Sequence, residues 1–204
     1  MKKMILVSSF KDVAGIFAAF AGDVEGKTVT FIPTASVVEK VNFFVKSGRK
    51  SLEKLGLIVD ELEISTATAE EIAGKLAKND YIYITGGNTF FLLQELRKSG
   101  ADKLIIKEVE SGKLYIGESA GLMVVAPNVE FAKGMDSIKK APELEGTEGL
   151  GIIDFYPVPH CTNFPFKKAV AKIVATYGES LPLKPISNNQ AILIQGDSIK
   201  IEST

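Results

Sequence analysis

Short runs of consecutive apolar residues alternate along the chain with longer stretches in which apolar positions recur every three or four residues. Met4 to Ser8, Thr28 to Pro33, Leu57 to Ile64 and Asp80 to Thr85 are runs of the first kind and predict buried strands. Between them, Asp12 to Ala21 places Val13, Ile16, Phe17 and Phe20 at helical spacing, Val37 to Leu55 predicts a long helix, and Thr68 to Ala77 predicts another. Thr68 with Glu71 three residues on has the spacing of a capping box. Strands buried on both faces and separated by amphipathic helices specify a three-layer α/β fold: a mostly parallel sheet with helices on both faces, here expected as one domain over residues 1–204.

After Thr85 the pattern stops at Gly86-Gly87-Asn88-Thr89 and resumes as a helix beginning Phe90-Phe91-Leu92. Two glycines let the backbone turn with its N–H groups outward, and Asn88 or Thr89 can cap the helix. A helix over Ala101 to Ser111 leads to Leu114-Tyr115-Ile116-Gly117-Glu118-Ser119-Ala120-Gly121-Leu122, a strand broken at Gly-x-Ser-x-Gly and followed by a helix. Such an elbow holds its serine in a strained conformation, the glycines removing Cβ atoms where strand and helix nearly touch. Ser119 is thereby aimed from the carboxyl edge of the sheet, with the Ala120 amide free to donate to an oxyanion.

From Pro127 to Gly151 the periodicity weakens and a surface excursion over the sheet edge is expected. Ile152 to Val158 predicts a strand ending in Pro159-His160-Cys161-Thr162, Phe164 to Tyr177 a helix, and Pro185 to Ile201 two or three short strands with Gly196-Asp197 as a hairpin turn.

Charge narrows the partners. Lys plus Arg is 24 against Asp plus Glu at 25, so no overall field recruits nucleic acid or an anionic membrane. No apolar run approaches the roughly 20 residues that span a bilayer, and the apolar start at Met4-Ile5-Leu6-Val7 is too short for a signal peptide, so a cytoplasmic location is expected. One cysteine, Cys161, makes no internal disulfide or multi-cysteine metal site and is read as a packing residue.

A serine hydroxyl needs an adjacent base to act as a nucleophile at neutral pH, and the chain has one histidine, His160, at a predicted strand end. Other readings remain open on residues alone. Ser119 can be a helix cap, a sole histidine is more often structural, and the Gly86-Gly87 turn can equally cradle a phosphate. An α/β-hydrolase esterase fits less well, because that fold orders its residues Ser, acid, His, whereas here the histidine follows the serine by only 160 − 119 = 41 positions. A thiol amidotransferase would carry Cys at the elbow.

Tyr83 to Phe90, Gly117 to Gly121, and Pro159-His160 with Asn163 resemble, in order and spacing, the three motif blocks of peptidase family S51, which includes aspartyl dipeptidase (peptidase E) and the cyanophycinases. The similarity covers nearly the whole chain. It implies a class I glutamine-amidotransferase-like (flavodoxin-like) domain and a dipeptidase-like serine peptidase acting through an acyl-enzyme on small peptides, some with an acidic residue. The resemblance puts Ser119 as nucleophile, His160 as base, and the Gly87 and Ala120 amides as the oxyanion hole, with Asn88 beside them in the substrate-binding corner. It calls for no metal or organic cofactor, and either a monomer or a homodimer is expected.

Two departures stand out. Related sequences carry Asp or Glu near the C-terminus to orient the histidine, and the matching position here is Asn188. An Asn carbonyl can hold the imidazole tautomer without stabilising the imidazolium by charge. Asp136 is the first alternative partner, with Asp154 and Glu118 further candidates and Glu118 expected to point elsewhere. Peptidase E-like enzymes also read an N-terminal aspartate with an arginine after the histidine, whereas the only arginines here are Arg49 and Arg97, leaving Lys167 or Lys168 as point charges. The rival reading is a catalytically weakened protein of this fold that binds an acidic peptide or phosphorylated metabolite.

Overall fold

The computed structural model describes all residues, Met1–Thr204. Strands β1 (Lys3–Val7), β2 (Thr28–Ile32), β3 (Ile58–Glu61), β4 (Tyr81–Ile84) and β5 (Leu114–Glu118) run parallel, in the order β3-β2-β4-β5-β1. The sheet continues through β8 (Gln190–Gln195), antiparallel to β1, and β9 (Ser198–Ser203), antiparallel to β8. The two are joined at the Gly196-Asp197 turn expected from sequence.

Helices cover both faces because alternate strand residues point to opposite sides. Ile5 and Val7 with Phe31, Tyr83 and Ile116 pack against Val13 and Phe17 of α1 (Phe10–Ala21) and Leu52 of α2 (Phe43–Lys54). Met4 and Leu6 with Ile82, Ile84 and Tyr115 face the larger cluster, which takes in α3 (Ala69–Lys78), α4 (Thr89–Ser99), α5 (Ala101–Glu110), the short α6 (Ala120–Met123) and α7 (Lys167–Tyr177). Thr68 caps α3 as expected, its hydroxyl accepting from the Glu71 amide. No helix is long and apolar enough to cross a membrane.

Three elements differ from what the sequence pattern predicts. The helix expected from Val37 begins only at Phe43; before it, Thr34–Ser36 forms a 3-10 turn whose Ala35 carbonyl accepts from the Asn88 amide at 2.7 Å. That bond fixes the 3-10 turn against the Gly86-Gly87 corner, two residues ahead of the expected helix start. The strand expected over Ile152 to Val158 shrinks to β6 (Tyr156–Val158), which pairs in parallel with β7 (Leu183–Pro185) as a separate two-stranded sheet. The excursion over residues 127–151 is not wholly superficial: Val129, Phe131 and Ala132 are buried, with the Phe131 ring edge-on to Tyr156 at 5.6 Å.

Candidate functional site

Three neighbouring strands end at one rim. β4 delivers the Gly86-Gly87 corner, β5 delivers Ser119 and β1 delivers Ser8. At the elbow, Ser119 has φ 50° and ψ −100°, and its amide donates to the Val7 carbonyl at 3.0 Å, which fixes the turn against β1. A positive φ on a serine is strained and is held here by close packing. A Cβ on Gly121 would lie 2.3 Å from the Ile84 carbonyl oxygen, and one on Gly117 would lie 2.5 Å from the Gly121 carbonyl oxygen. That same Gly121 carbonyl accepts from the buried Tyr115 hydroxyl at 2.6 Å. Helix α6 therefore sits directly on β4 and β5, and only glycine permits the approach.

The serine meets the sole histidine. Ser119 Oγ lies 3.1 Å from His160 Nε2, and His160 Nδ1 lies 2.8 Å from Asn188 Oδ1. Both ring nitrogens are thus engaged, with Asn188 accepting from the Nδ1–H and leaving Nε2 as the acceptor toward the hydroxyl. Burial holds the His160 pKa below the ordinary histidine value, partly countered by the bond to Asn188, so the ring stays neutral at neutral pH.

Supporting contacts fix this line of groups. The His160 amide donates to Ser8 Oγ at 2.9 Å, and Ser8 Oγ donates to the Ile186 carbonyl at 3.2 Å. Together these clamp a backbone whose φ at His160 is 63°. The Asn188 amide donates to Asn163 Oδ1 at 2.9 Å, and the Phe166 ring stacks on the imidazole with centroids 4.7 Å apart. Asn188 reaches the rim because β8 runs against β1, pairing Ala191 with Val7, so residues preceding β8 lie where the parallel strands end.

The Gly-Gly corner lies alongside. A Cβ on Gly86 would be 3.1 Å from Ser119 Cβ and 3.6 Å from its Oγ. Gly87 has φ 137°, and a Cβ there would fall 2.1 Å from the Ala35 carbonyl oxygen, so no other residue fits.

Asn88, expected in the substrate-binding corner, is 1% exposed and fully employed in holding it. Its Oδ1 caps α4 by accepting from the Phe91 amide at 3.0 Å, its Nδ2 donates to the Ser137 carbonyl at 3.1 Å, and its amide is spent on Ala35. Asp136 is likewise not brought to His160. Its Oδ2 accepts from the Thr89 amide at 2.9 Å and the Thr89 hydroxyl at 2.6 Å, a second anchor for the start of α4. Burial raises the Asp136 pKa to about 6 despite these bonds.

Glu118 points to the opposite face of the sheet, as the alternation along β5 requires. It accepts from the Phe10 amide at 2.9 Å and the Tyr83 hydroxyl at 2.7 Å, and burial lifts its pKa to about 7. Lys167 and Lys168 are exposed at the start of α7. Arg49 pairs with Glu61, and Arg97 with Glu148, so neither guanidinium is unpaired. No cluster of three or more His, Cys, Asp or Glu side chains is placed to hold a metal ion.

Ser8 and Asn163 are positioning groups to which the sequence reading assigns no role. Asn163 carries a signal through its place in the His160 motif; Ser8, a lone hydroxyl after a strand, carries none.

The model of peptidase family S51 matches residues 4–202. An uncharacterized peptidase of Listeria innocua is 55% identical over 199 residues, covering 98% of this chain and 95% of that protein. One from Pasteurella multocida is 52% identical over 198 residues, covering 97% and 96%. Peptidase E of Haemophilus influenzae is 30% identical over 143 residues, 66% of this chain and 64% of that longer protein. Among solved structures, a Listeria monocytogenes EGD-e protein superimposes with a TM-score of 0.97 at 52% identity, covering 100% of this chain and 99% of that one. A peptidase from an acI-B1 Actinobacterium shares the fold, with a TM-score of 0.73 at 24% identity. The chain belongs to peptidase family S51 and is a peptidase.

Proposed function

We propose that this peptidase is a dipeptidase-like serine enzyme that hydrolyses small peptides through an acyl-enzyme on Ser119. The reading takes the fold as class I glutamine-amidotransferase-like (flavodoxin-like), residues 1–204 as one domain, the cytoplasm as the place of action and a monomer or homodimer as the working form. The observation that carries it is the line Ser119 Oγ, His160, Asn188, with separations of 3.1 and 2.8 Å and the imidazole neutral at neutral pH.

His160 Nε2 takes the hydroxyl proton as Ser119 Oγ bonds to the substrate carbonyl carbon. The oxygen of the tetrahedral intermediate is assigned to the Gly87 and Ala120 amides, backbone donors that need no reorganisation during reaction. As the C–N bond breaks, Nε2 returns the proton to the departing amine. Water, deprotonated in turn by Nε2, then releases the acyl group as an acid. Asn188 holds the Nδ1–H tautomer throughout but, being neutral, lends the imidazolium no charge stabilisation.

A dipeptide panel assayed with wild type and Ser119→Ala tests the reading. The variant is expected to lose essentially all turnover while still binding peptide. Equal turnover by the two proteins overturns it.

A further inference from the structure

The wall beside Ser119 is apolar, and its composition bears on which peptides are cleaved. Residues 34–44 wrap the Gly86-Gly87 corner: Ala35 and Ser36 abut Gly87, and Phe44 reaches Gly86, its ring 3.7 Å from where a Cβ there would be. That same position is 3.6 Å from Ser119 Oγ, so a substrate group lying over Gly86 touches the serine and Phe44 together. Phe43 packs edge-on to Phe44 at 6.0 Å yet is itself 69% exposed, and Val37 and Val41 are more than half exposed in the same segment. A Glu39–Lys140 ion pair of 2.7 Å ties this segment to the loop after Asp136, so the exposed apolar surface is held in place. Across the site, Phe166 stacks on His160, and Phe164 in the same loop is 95% exposed. Exposed Val37, Val41 and Phe43 crowd one short segment of a chain whose other large apolar residues are mostly buried, and such patches mark binding surfaces.

Neither arginine competes for this place. Both guanidiniums are paired with carboxylates, so nothing presents the planar fork that recognises a carboxylate side chain. An acyl carbon bonded to Ser119 Oγ with its side-chain substituent over Gly86 would bring that substituent against the Phe44 ring.

We propose that Phe44, backed by Phe43, forms an apolar specificity wall, and that the preferred substrates carry a bulky apolar residue on the acyl side of the scissile bond rather than an acidic one. This rests on Ser119 being the nucleophile. The two can be separated with aminoacyl diphenyl phosphonates, which phosphonylate an active serine and carry the acyl-side side chain but need no matched leaving group. Wild type is treated with the Phe, Leu, Ala and Asp reagents, and labelling of Ser119 is followed by mass spectrometry against a side-chain-neutral fluorophosphonate.

The expected result is that the Phe and Leu reagents label Ser119 roughly tenfold or more faster than the Asp reagent. Phe44→Ala should collapse that ratio toward one, and Phe44→Leu should restore most of it. Phe43→Ala, at a position 69% exposed, should reduce it partly. An Asp reagent that labels as fast as the Phe reagent, or a ratio unmoved in Phe44→Ala, overturns the proposal while fluorophosphonate labelling leaves the nucleophile assignment standing. Absence of fluorophosphonate labelling overturns both.

Discussion

His160 Nδ1 and Asn188 Oδ1 lie 2.8 Å apart, and the group standing behind the imidazole is therefore a neutral amide rather than a carboxylate. Replacing Asn188 with Ala frees the tautomer and should lower kcat/KM at pH 7 by roughly 100-fold. Asn188→Asp places a negative charge within hydrogen-bond reach of the ring, which favours the imidazolium and should move the acidic limb of the kcat/KM profile upward by about one to three pH units. A pH series on the three proteins checks both outcomes, and an unmoved limb in Asn188→Asp would show that the amide is not what His160 feels.

In the wild type the same profile has a definite expected position. Burial depresses the His160 pKa, and a base works only when unprotonated, so activity should persist below pH 6.5 before falling. A limb above that value contradicts burial as the dominant influence on the ring.

Ser8 makes its contribution through the backbone. Ser8→Ala removes the acceptor of the part-buried His160 amide, leaving it unpaired at a cost of about 1–3 kcal/mol, while the Ile186 carbonyl keeps its bond from the Cys161 amide. Since Ser8 does not touch the reacting atoms, kcat should drop with KM nearly unchanged. Steady-state kinetics combined with urea denaturation separates this from a loss of folded protein.

How far these features can be read from the chain differs residue by residue. Ser119 and His160 are legible because each sits at a punctuation mark, a glycine turn or a strand boundary, that survives in one dimension, whereas Asn188 is legible only through the family resemblance. Asp136 and Asn88 are legible as polar residues near the site but not in their roles, because anchoring the start of α4 depends on a loop folding back across nearly fifty residues. The 3-10 turn at Thr34–Ser36 is hidden for the same reason, since its bond from Asn88 to Ala35 spans more residues than any window of sequence contains. The strand order, with β8 reversed, is also invisible to periodicity, which reports burial and not direction.

Glycine positions give a sharp packing test. Gly121→Ala would bring a Cβ within 2.3 Å of the Ile84 carbonyl oxygen, in a fully buried layer, and should cost more than about 3 kcal/mol or prevent folding. At Gly15 in α1 and Gly74 in α3 an added methyl would meet nothing within 4 Å, and alanine at either should stabilise by up to about 1 kcal/mol through helix propensity. Thermal melts should place the Gly121 variant below wild type and the other two above it.

Glu118 and Asp136 should impose a slope of stability with pH. Both are carboxyls whose folded-state pKa is raised by burial, from 4.5 to about 7 and from 3.8 to about 6. The unfolded chain thus releases protons first, and stability is greatest below about pH 4 and declines as pH rises to about 7, with Glu118 alone accounting for on the order of 3 kcal/mol. Urea midpoints between pH 5 and pH 8 should fall with pH. Glu118→Gln, which keeps an acceptor for the Phe10 amide, should flatten most of that decline.

The reversal of β8 also ties the support of the imidazole to the closing of the sheet. Ser119, the Gly86-Gly87 corner and His160 all precede residue 161, whereas the group bonded to His160 Nδ1 comes only with Asn188, just ahead of a strand that slots in beside β1. Without the β8–β9 hairpin, β1 would present a free edge and His160 would lack its Asn188 partner, so one hairpin both closes that edge and supports the imidazole.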